Sequence, residues 1–444
     1  MGTWCYRRAQ SVRKATSGLS ALNLYYCRAS PRSGDAARKC ACATRVARTL
    51  VFAAFALLRT QGISMLKFLR RQATSRTRQS LVLLLALPGI ASAAERWKIQ
   101  FFYDKASSSL SIQDLKCPST SHCVGVGSIE DRKGHVKGTL ISTSDGGQNW
   151  SLAEVSDEPI SLFFLNDSLG WMAAARGVWS TTDGGRTWKK SEGLKKGILE
   201  VYFLNPLHGY AIGFPKAVYE TANGGKSWIK LAAADRPETG LQDTVYECIS
   251  FEGPYGIIAG NATLPGTDET PPWLNPKEAR LHRERQSTVV VLETMDSGAH
   301  WEASTSSLYG RMSQLVMLKD GFALALFEYH NYYTLPSRVY KVKFRTSSDV
   351  IFAERDRAVT DIALLPDGVA LIAAVEPPGS SNQVPIPGKL KMLRSTNLKV
   401  WEEMDVDYKA VAQRAILAAP DADHAWVATD TGMILMLDKS GTRN

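Results

Sequence analysis

Acidic residues recur in a short motif that ends in tryptophan, and these regularly spaced carboxylates are the first candidates for chemistry in this chain. Paired carboxylates could act as acid and base in glycoside hydrolysis. In the third copy, however, asparagine replaces the aspartate, and an amide cannot transfer a proton in that role. We therefore interpret the motif as structural. Its four copies contain Asp145 with Trp150, Asp183 with Trp188, Asn223 with Trp228, and Asp296 with Trp301.

The residue types of the motif are those of a tight turn in a β-hairpin. Aspartate accepts backbone N–H bonds inside such a turn, and glycine supplies a positive φ. The tryptophan buries a large apolar face at the end of the hairpin. The first three tryptophans follow one another at intervals of about 40 residues, which is typical of a four-stranded propeller blade. The longer interval before Trp301 fits one blade with an insertion, and positions 395–401 form a shortened fifth copy.

A second repeat consists of an apolar strand, a short polar turn and another apolar strand. We find seven such hairpins, at residues 112–127, 160–175, 198–213, 245–260, 315–327, 362–375 and 415–429. The chain is therefore predicted to be all-β, with a seven-bladed β-propeller over residues 94–444. The last unit lacks a clear fourth strand, and the early strand 97–103 lacks a hairpin partner. We expect this N-terminal strand to join the last blade and close the ring.

The segment before the repeats has the pattern of an export leader. Residues 65–93 combine a cationic start, a short apolar run and an Ala-Ser-Ala sequence, which is typical of a secretory signal peptide. An uncleaved membrane anchor is the alternative. Residues 1–64 precede a start-competent Met65 and are predicted to be a doubtful or disordered extension. We expect an exported protein, in the periplasm or an equivalent extracytoplasmic compartment.

The net charge of +10 is unevenly distributed. Residues 1–93 contain 16 Lys and Arg with one acidic residue, whereas residues 94–444 contain 37 Lys and Arg with 42 Asp and Glu. A nucleic-acid-binding domain needs a basic footprint on its folded part, so no nucleic-acid partner is expected. Peripheral association with a membrane is a separate expectation, and we expect a monomer.

The cysteines predict a disulfide rather than a metal site. Cys117 and Cys123 are six residues apart, and export would place them in an oxidising compartment. We predict that they are bonded and that Cys248 is a buried thiol. Three cysteines without histidines at ligand spacing do not form a metal site, and no cofactor is expected.

The motif copies resemble the Asp-box, or BNR, repeats of sialidase-like propellers. Their spacing and the segments 170–188 and 209–228 are most similar to the photosystem II stability/assembly factor-like family, across about residues 97–444. The resemblance implies a non-catalytic scaffold that binds a membrane protein or its exported segment and helps to assemble or stabilise a membrane protein complex. It also implies a basic binding surface, because family members in photosynthetic organisms use one to bind an unassembled reaction-centre subunit.

The turns between the second and third strands of the predicted blades lie on the face opposite the Asp boxes. They carry a cation in six units and hold the long insertions, including the loop 260–287. Exposed Tyr, Trp and Arg are typical interface anchors. The alternative is that exposed turns simply favour cations. The candidate partner-binding residues are Lys137, Arg176, Lys216, Trp273, Arg280, Arg283, Arg285, Tyr332, Arg338 and Lys389.

A sialidase-like or other Asp-box glycoside hydrolase, or a glycan-binding propeller, is the alternative function. Sialidase-like enzymes usually carry an Arg-Ile-Pro motif, which the sequence lacks, and it also lacks a P-loop and the motifs G-x-S-x-G and H-E-x-x-H. We expect no enzymatic activity and no catalytic residues. Inward-facing carboxylates with a raised pKa would instead favour an enzyme.

Overall fold

The computed structural model describes residues 95–194, 196–263, 286–329, 335–343, 345–377 and 388–439, and this part of the chain is all-β and propeller-like. The predicted leader and the extension before it lie outside the described residues. Three short 3-10 helices, at Ala232–Asp235, Leu241–Asp243 and Lys319–Gly321, interrupt the strands. Among the described residues, no helix has the length and apolar character needed to cross a bilayer.

Five antiparallel sheets contain four strands each, paired in sequence order. Their strands are β2 (Ser108–Lys116), β3 (Cys123–Asp131), β4 (Val136–Thr143) and β5 (Ser151–Glu154); β6 (Pro159–Phe164), β7 (Gly170–Ala174), β8 (Gly177–Thr181) and β9 (Lys189–Lys190); β10 (Ile198–Phe203), β11 (Gly209–Gly213), β12 (Ala217–Thr221) and β13 (Ile229–Lys230); β14 (Thr244–Glu252), β15 (Tyr255–Thr263), β16 (Gln286–Thr294) and β17 (Glu302–Tyr309); and β18 (Arg311–Met317), β19 (Ala323–Glu328), β20 (Ser337–Lys343) and β21 (Ser347–Phe352).

A sixth sheet of nine strands contains the two ends of the described chain. Its strands are β22 (Ala358–Leu364), β23 (Ala370–Val375), β24 (Gly388–Ser395), β25 (Glu402–Val406), β26 (Val411–Ala412), β27 (Ala415–Ala418), β28 (Trp426–Thr429), β29 (Met433–Asp438) and β1 (Arg96–Phe102). The early strand β1 pairs antiparallel with β29, along six residue pairs, and parallel with β25. All seven predicted hairpins are paired strands.

The core lies between neighbouring sheets and is built mainly from their second strands. Every residue of β7, β11 and β23 is buried, and these strands are rich in Gly and Ala. A Cβ added at Gly209 would stand 2.5 Å from the ring of Phe203, so the small residue is needed for the close approach of this ring. The apolar run of each second strand is thus explained by burial on both faces.

The first strands of the seven hairpins contact one another in a closed order: β2, β6, β10, β14, β18, β22, β27 and again β2. All of them except β27 carry a register shift in their pairing with the second strand. In four of them, the side chain of the residue after the shift bonds the backbone of the next first strand. Asp114, for example, accepts a bond from the backbone N–H of Leu162 at 2.7 Å. Side chains of the first strands therefore link successive sheets.

The four Asp-box motifs form turns with the same hydrogen bonds, each between the third and fourth strands of a sheet. In the second copy, the Thr181 hydroxyl donates to Asp183 Oδ1 at 2.8 Å, and the backbone N–H of Thr187 donates to the same oxygen at 2.9 Å. The third copy reproduces both bonds with Asn223 Oδ1 as the acceptor. Hydrogen bonds from Thr187 hold the pKa of Asp183 down, at about 2. Both carboxylate oxygens of Asp183 accept hydrogen bonds from residues of the turn.

The tryptophan of each motif packs against an aromatic ring of the core. Trp188 stands edge-on to Phe164, and Trp228 edge-on to Phe203, with ring centroids 6.2 and 6.0 Å apart. Trp301 is 6% exposed and contacts Phe251 in the same way. These ring contacts agree with a structural role for the motif tryptophans.

Replacement of Asp183 by asparagine and by alanine distinguishes the turn from a catalytic group. Asp183→Asn should leave the melting temperature nearly unchanged, because Asn223 makes the equivalent bonds. Asp183→Ala removes the shared acceptor and should lower the melting temperature by a few degrees. Thermal denaturation followed by circular dichroism measures both. Equal melting temperatures for the two variants would contradict the structural role.

Candidate functional site

The predicted cations have different surroundings. The ammonium group of Lys137 lies 3.0 Å from Glu154 Oε2 at the surface. Arg176 Nε donates to Asp157 Oδ1 at 3.1 Å, and the side chain of Asp157 is only 2% exposed. Arg176 is therefore held by a buried carboxylate, whereas the Lys137 pair is exposed and weakly held.

Lys216 is not an exposed turn cation, which corrects the prediction from sequence. It is only 5% exposed, and its Nζ donates to the carbonyl oxygens of Pro237 and Thr239 at 2.7 and 2.9 Å. The segment that follows β13 covers the β11–β12 turn and supplies both carbonyls. Lys216 therefore stabilises this segment and is not available to a partner.

The remaining candidates divide between described and undescribed residues. Arg338 is the second residue of β20 and lines a cleft, and Lys389 is exposed on β24. Trp273, Arg280, Arg283, Arg285 and Tyr332 lie outside the described residues. The described candidates belong to separate sheets. Arg338 alone of them lines the cleft between the sheets β14–β17 and β18–β21.

This cleft lies between the sheets β14–β17 and β18–β21 and has a volume of about 570 Å³. Its apolar floor includes Val289, Val291, Phe327 and Val342. Around this floor stand three tyrosines and three cations, Tyr309, Tyr329, Tyr340, Arg338, Lys343 and Arg345. No carboxylate is among the described residues that line it. Such an arrangement of aromatic and cationic side chains over an apolar floor suits a peptide with a carboxylate.

Aromatic contacts position Arg338 within the cleft. The guanidinium carbon lies 5.9 Å from the centroid of the Tyr329 ring, and Nη1 is 3.4 Å from the Tyr340 hydroxyl. The ring of Tyr340 in turn packs edge-on against Phe327 at 5.5 Å. The guanidinium stays charged in this position.

Arg345 joins the two sheets at the other end of the cleft. It has a φ of 62° and bonds Glu293 and Glu302 at 2.8 and 2.7 Å, and these bonds raise the pKa of its guanidinium further. It also lines a second cleft of about 460 Å³ with Arg236, Glu302 and Ser304. Lys343 and Arg345 were not among the residues predicted from sequence. The sequence feature that could have indicated them is the alternation of cations with apolar and aromatic residues over 338–345.

A second group of titratable side chains stands on the first strands. Lys116 Nζ lies 2.8 Å from Asp114 Oδ1, and both interact with Glu200 of β10. Lys116 keeps 40% of its side-chain surface exposed. Burial raises the pKa of Glu200 to about 8 and that of Asp361 to about 6.

The raised pKa values of Glu200 and Asp361 would favour an enzyme, but the hydrogen bonds of Asp361 are structural. Both oxygens of Asp361 accept backbone N–H bonds, from Ile362 at 2.8 Å and from Leu417 of β27 at 2.7 Å. Asp114 bridges to Leu162 in the same way. No cluster of His, Cys, Asp and Glu suited to a metal ion occurs in the described part of the chain. Cys117 and Cys123 form a disulfide, and Cys248 is a buried thiol whose pKa burial raises.

Comparison with known sequences gives two partial relatives, and no protein-family model matches the chain. The photosystem II assembly lipoprotein Ycf48 of Synechococcus sp. strain CC9902 is 28% identical over 174 residues, covering 34% of this chain and 50% of that protein. A xyloglucanase of Paenibacillus sp. is 31% identical over 112 residues, covering 23% of this chain and 10% of that enzyme. The chain therefore spans half or less of the length of these curated relatives.

Two solved structures of Ycf48 have the same fold, each with a TM-score of 0.50 and 16% identity. Ycf48 bound to a D1 peptide aligns over 78% of this chain and 97% of its own. The protein from Cyanidioschyzon merolae aligns over 79% of this chain and 100% of its own. The chain is similar to Ycf48 in sequence and in fold. The resemblance to photosystem II assembly factors predicted from the motifs is thus confirmed. Because so few residues are identical, the likeness to the Ycf48 structures extends to the fold and not to the side chains of the cleft.

Glu200 should make stability depend on pH. The folded chain holds a proton up to about pH 8, whereas the unfolded chain releases it near the ordinary pKa of 4.5, so stability falls as the pH rises between these values. Glu200→Gln should abolish this fall, with the clearest difference between about pH 6 and 8, above the titration of Asp361. Melting temperatures across this range measure the effect. The exposed control Glu154→Gln should keep the wild-type slope, and an unchanged slope in Glu200→Gln would contradict the assignment.

Proposed function

We propose that the chain is a non-catalytic, exported propeller scaffold that binds a segment of a membrane protein and assists the assembly or stability of a membrane protein complex. The observation that carries the proposal is the cleft between the sheets β14–β17 and β18–β21. The similarity to Ycf48, which is known as a photosystem II assembly lipoprotein and in complex with a D1 peptide, supports it.

The chemistry of the cleft favours a peptide that carries a carboxylate. Arg338 and Lys343 supply positive charge beside an apolar floor, and Tyr309, Tyr329 and Tyr340 supply flat aromatic surfaces. Arginine and tyrosine contribute disproportionately to binding at protein interfaces. Charge-assisted bonds to a carboxylate are stronger than neutral ones, particularly from a guanidinium. An acidic side chain or a free C-terminus of the segment would be attracted to these cations.

The scaffold in this proposal is a monomeric seven-bladed ring. The closed order of contacts among the first strands supports a ring, and the pairing of β1 with β29 supports closure by the N-terminal strand. In this arrangement β27, β28, β29 and β1 form the last blade, and β22 to β25 form the one before it. Closure leaves no sheet open at the junction between the two ends of the chain.

Export is proposed from the leader pattern at residues 65–93, with the periplasm or an equivalent compartment as the destination. The disulfide between Cys117 and Cys123 supports an oxidising compartment, because disulfides are rare in reducing cytosol. A scaffold in this compartment would meet the exported segments of membrane proteins. Peripheral association with the membrane is part of the proposal.

A glycoside hydrolase is the second candidate, favoured by the raised pKa of Glu200 and Asp361 and by the partial xyloglucanase match. Against it, Asp361 and Asp114 are already bonded to backbone N–H groups, which leaves them no free acid–base role. Assay of xyloglucan and sialoside hydrolysis distinguishes the two functions. Turnover that Glu200→Gln abolishes would replace the scaffold proposal with the enzyme.

Loss of the cleft cations should weaken binding of a D1 peptide, the probe chosen from the Ycf48 complex. Arg338→Ala and Lys343→Ala should each raise the dissociation constant about tenfold, equivalent to about 1.4 kcal/mol, because a charge-assisted bond to the peptide is lost. Fluorescence anisotropy with a labelled peptide measures this. Lys230→Ala removes the same charge from an exposed ion pair on another sheet and should bind as the wild type does. Equal weakening by all three variants, or no binding by the wild type, would contradict the proposal.

Ring closure can be tested with two aromatic residues of β1. Trp97 is fully buried against side chains of both β24 and β29, whereas Phe102 on the same strand is 52% exposed. Trp97→Ala should lower the free energy of unfolding by about 3–5 kcal/mol. Phe102→Ala should change it little. Denaturant unfolding measures both, and a small effect of Trp97→Ala would count against closure by β1.

A further inference from the structure

The fourth strands of the sheets differ greatly in length. Among the described residues, β5, β9, β13, β17 and β21 are sheet edges, whereas β25 pairs with β1. The strands β9 and β13 have two residues each, β5 has four and β21 has six, but β17 has eight. Along eight residues an extended strand presents an edge of about 26 Å. The edge β17 is therefore the longest of the five.

The composition of β17 also differs from that of the other edges. Exposed sheet edges are usually protected by charged residues, by proline or by shortness. Both residues of β9 are lysine, β13 ends in Lys230 and β21 contains Asp349. In β17 the one charged residue is Glu302, at its start, and the rest reads Ala-Ser-Thr-Ser-Ser-Leu-Tyr. Leu308 and Tyr309 are 42% and 50% exposed. This edge lacks the usual protection against added strands.

Both clefts follow this edge. The larger is lined by Ser306, Leu308 and Tyr309 of β17, and the smaller by the residues from Glu302 to Thr305. Arg345 lines both clefts and is fixed by its bonds to Glu293 and Glu302. Ser306 and Leu308 are two residues apart and thus project from the same side of the strand. A chain that lay beside β17 would have room for its side chains along the whole strand.

We propose that β17 takes an extended segment of the partner protein as an added strand, with the carboxylate of that segment at Arg338 or Lys343. The inference rests on the proposed function and specifies its binding mode. Backbone bonds to a sheet edge supply affinity without requiring a particular sequence, and pockets for alternate side chains supply specificity. The apolar floor accepts the side chains on one face of the segment.

Charge favours this occupant over a second copy of the chain. The one charged residue that a second β17 would bring is Glu302, and it already bonds Arg345. A partner segment with its own carboxylate can instead reach Lys343, which lines the cleft. The occupant is therefore a peptide of opposite charge in an extended conformation.

Hydrogen exchange tests the binding mode on the full chain. A saturating D1 peptide should slow amide exchange in residues 302–309 by about tenfold or more, because alternate N–H groups of β17 become hydrogen-bonded. The edge strand β5 serves as the control and should exchange as in the free protein. Peptide binding without slower exchange in β17 would overturn the added strand and leave the cleft as the binding site. Absence of any binding would overturn both proposals.

Proline substitutions along β17 test the same bonds independently. Successive N–H groups of an edge strand point alternately toward its neighbour and outward, and proline is tolerated where the N–H points outward. We expect that, among Thr305→Pro, Ser306→Pro and Ser307→Pro, those that keep the wild-type melting temperature bind the D1 peptide at least about tenfold more weakly. Ser307→Ala, at the one of these three positions that lines neither cleft, should bind as the wild type does.

Two results would overturn the added strand. Folded proline variants that bind the peptide with wild-type affinity would exclude backbone bonding at β17. A dimer in size-exclusion chromatography, with slow exchange in residues 302–309 before peptide is added, would assign the edge to a second copy. If every proline variant unfolds, the exchange experiment on the wild type decides alone.

Discussion

The arrangement of the hairpins depends on side chains that leave the first strand of one hairpin and bond the backbone of the first strand of the next. Asp114 accepts from Leu162 N–H, and Asp361 accepts from Leu417 N–H, both at 2.7 Å. Ser161 donates to the carbonyl of Leu199 at the same distance. The inner edge of each first strand has backbone groups that no further strand pairs, and a buried unpaired group costs about 1–3 kcal/mol. The register shifts orient these side chains toward the backbone groups that no strand pairs.

The hairpins and turns could be predicted from sequence because their determinants are local. In each Asp-box turn the threonine, the acceptor and the glycine lie close together in the chain, so their types and order are visible. The bridging side chains could not be predicted in this way. Aspartate, serine, glutamate and cysteine take the position after the register shift in different sheets, so no single residue type marks it. Their partners lie in the neighbouring sheet, far away along the chain.

The candidate site shows the same division between local and tertiary determinants. Arg338 and Lys216 were both predicted because each is a cation in a predicted turn between the second and third strands of a blade. The two differ because the segment after β13 covers Lys216 and offers it two carbonyl groups, which nothing near Lys216 in the sequence reveals. Lys343 and Arg345 became visible only with the cleft, whose walls come from two sheets. Sequence locates charges on strands, but the spacing between sheets decides which of them meet.

The special character of β17 follows from how the blades are built. The box turn fixes where a fourth strand begins, since the motif tryptophan packs on the core just before it. The core itself needs the first three strands, so the length of the fourth is free to vary. In two sheets it stays short because the third strand is short: β8 and β12 have five residues each. The hairpin strands β15 and β16 have nine residues, and β17 pairs with β16 along all eight of its own. Lengthening one hairpin thus extends an edge at the rim without changing the contacts that hold the sheets together, and a binding surface can be added there at little cost to the stability of the scaffold.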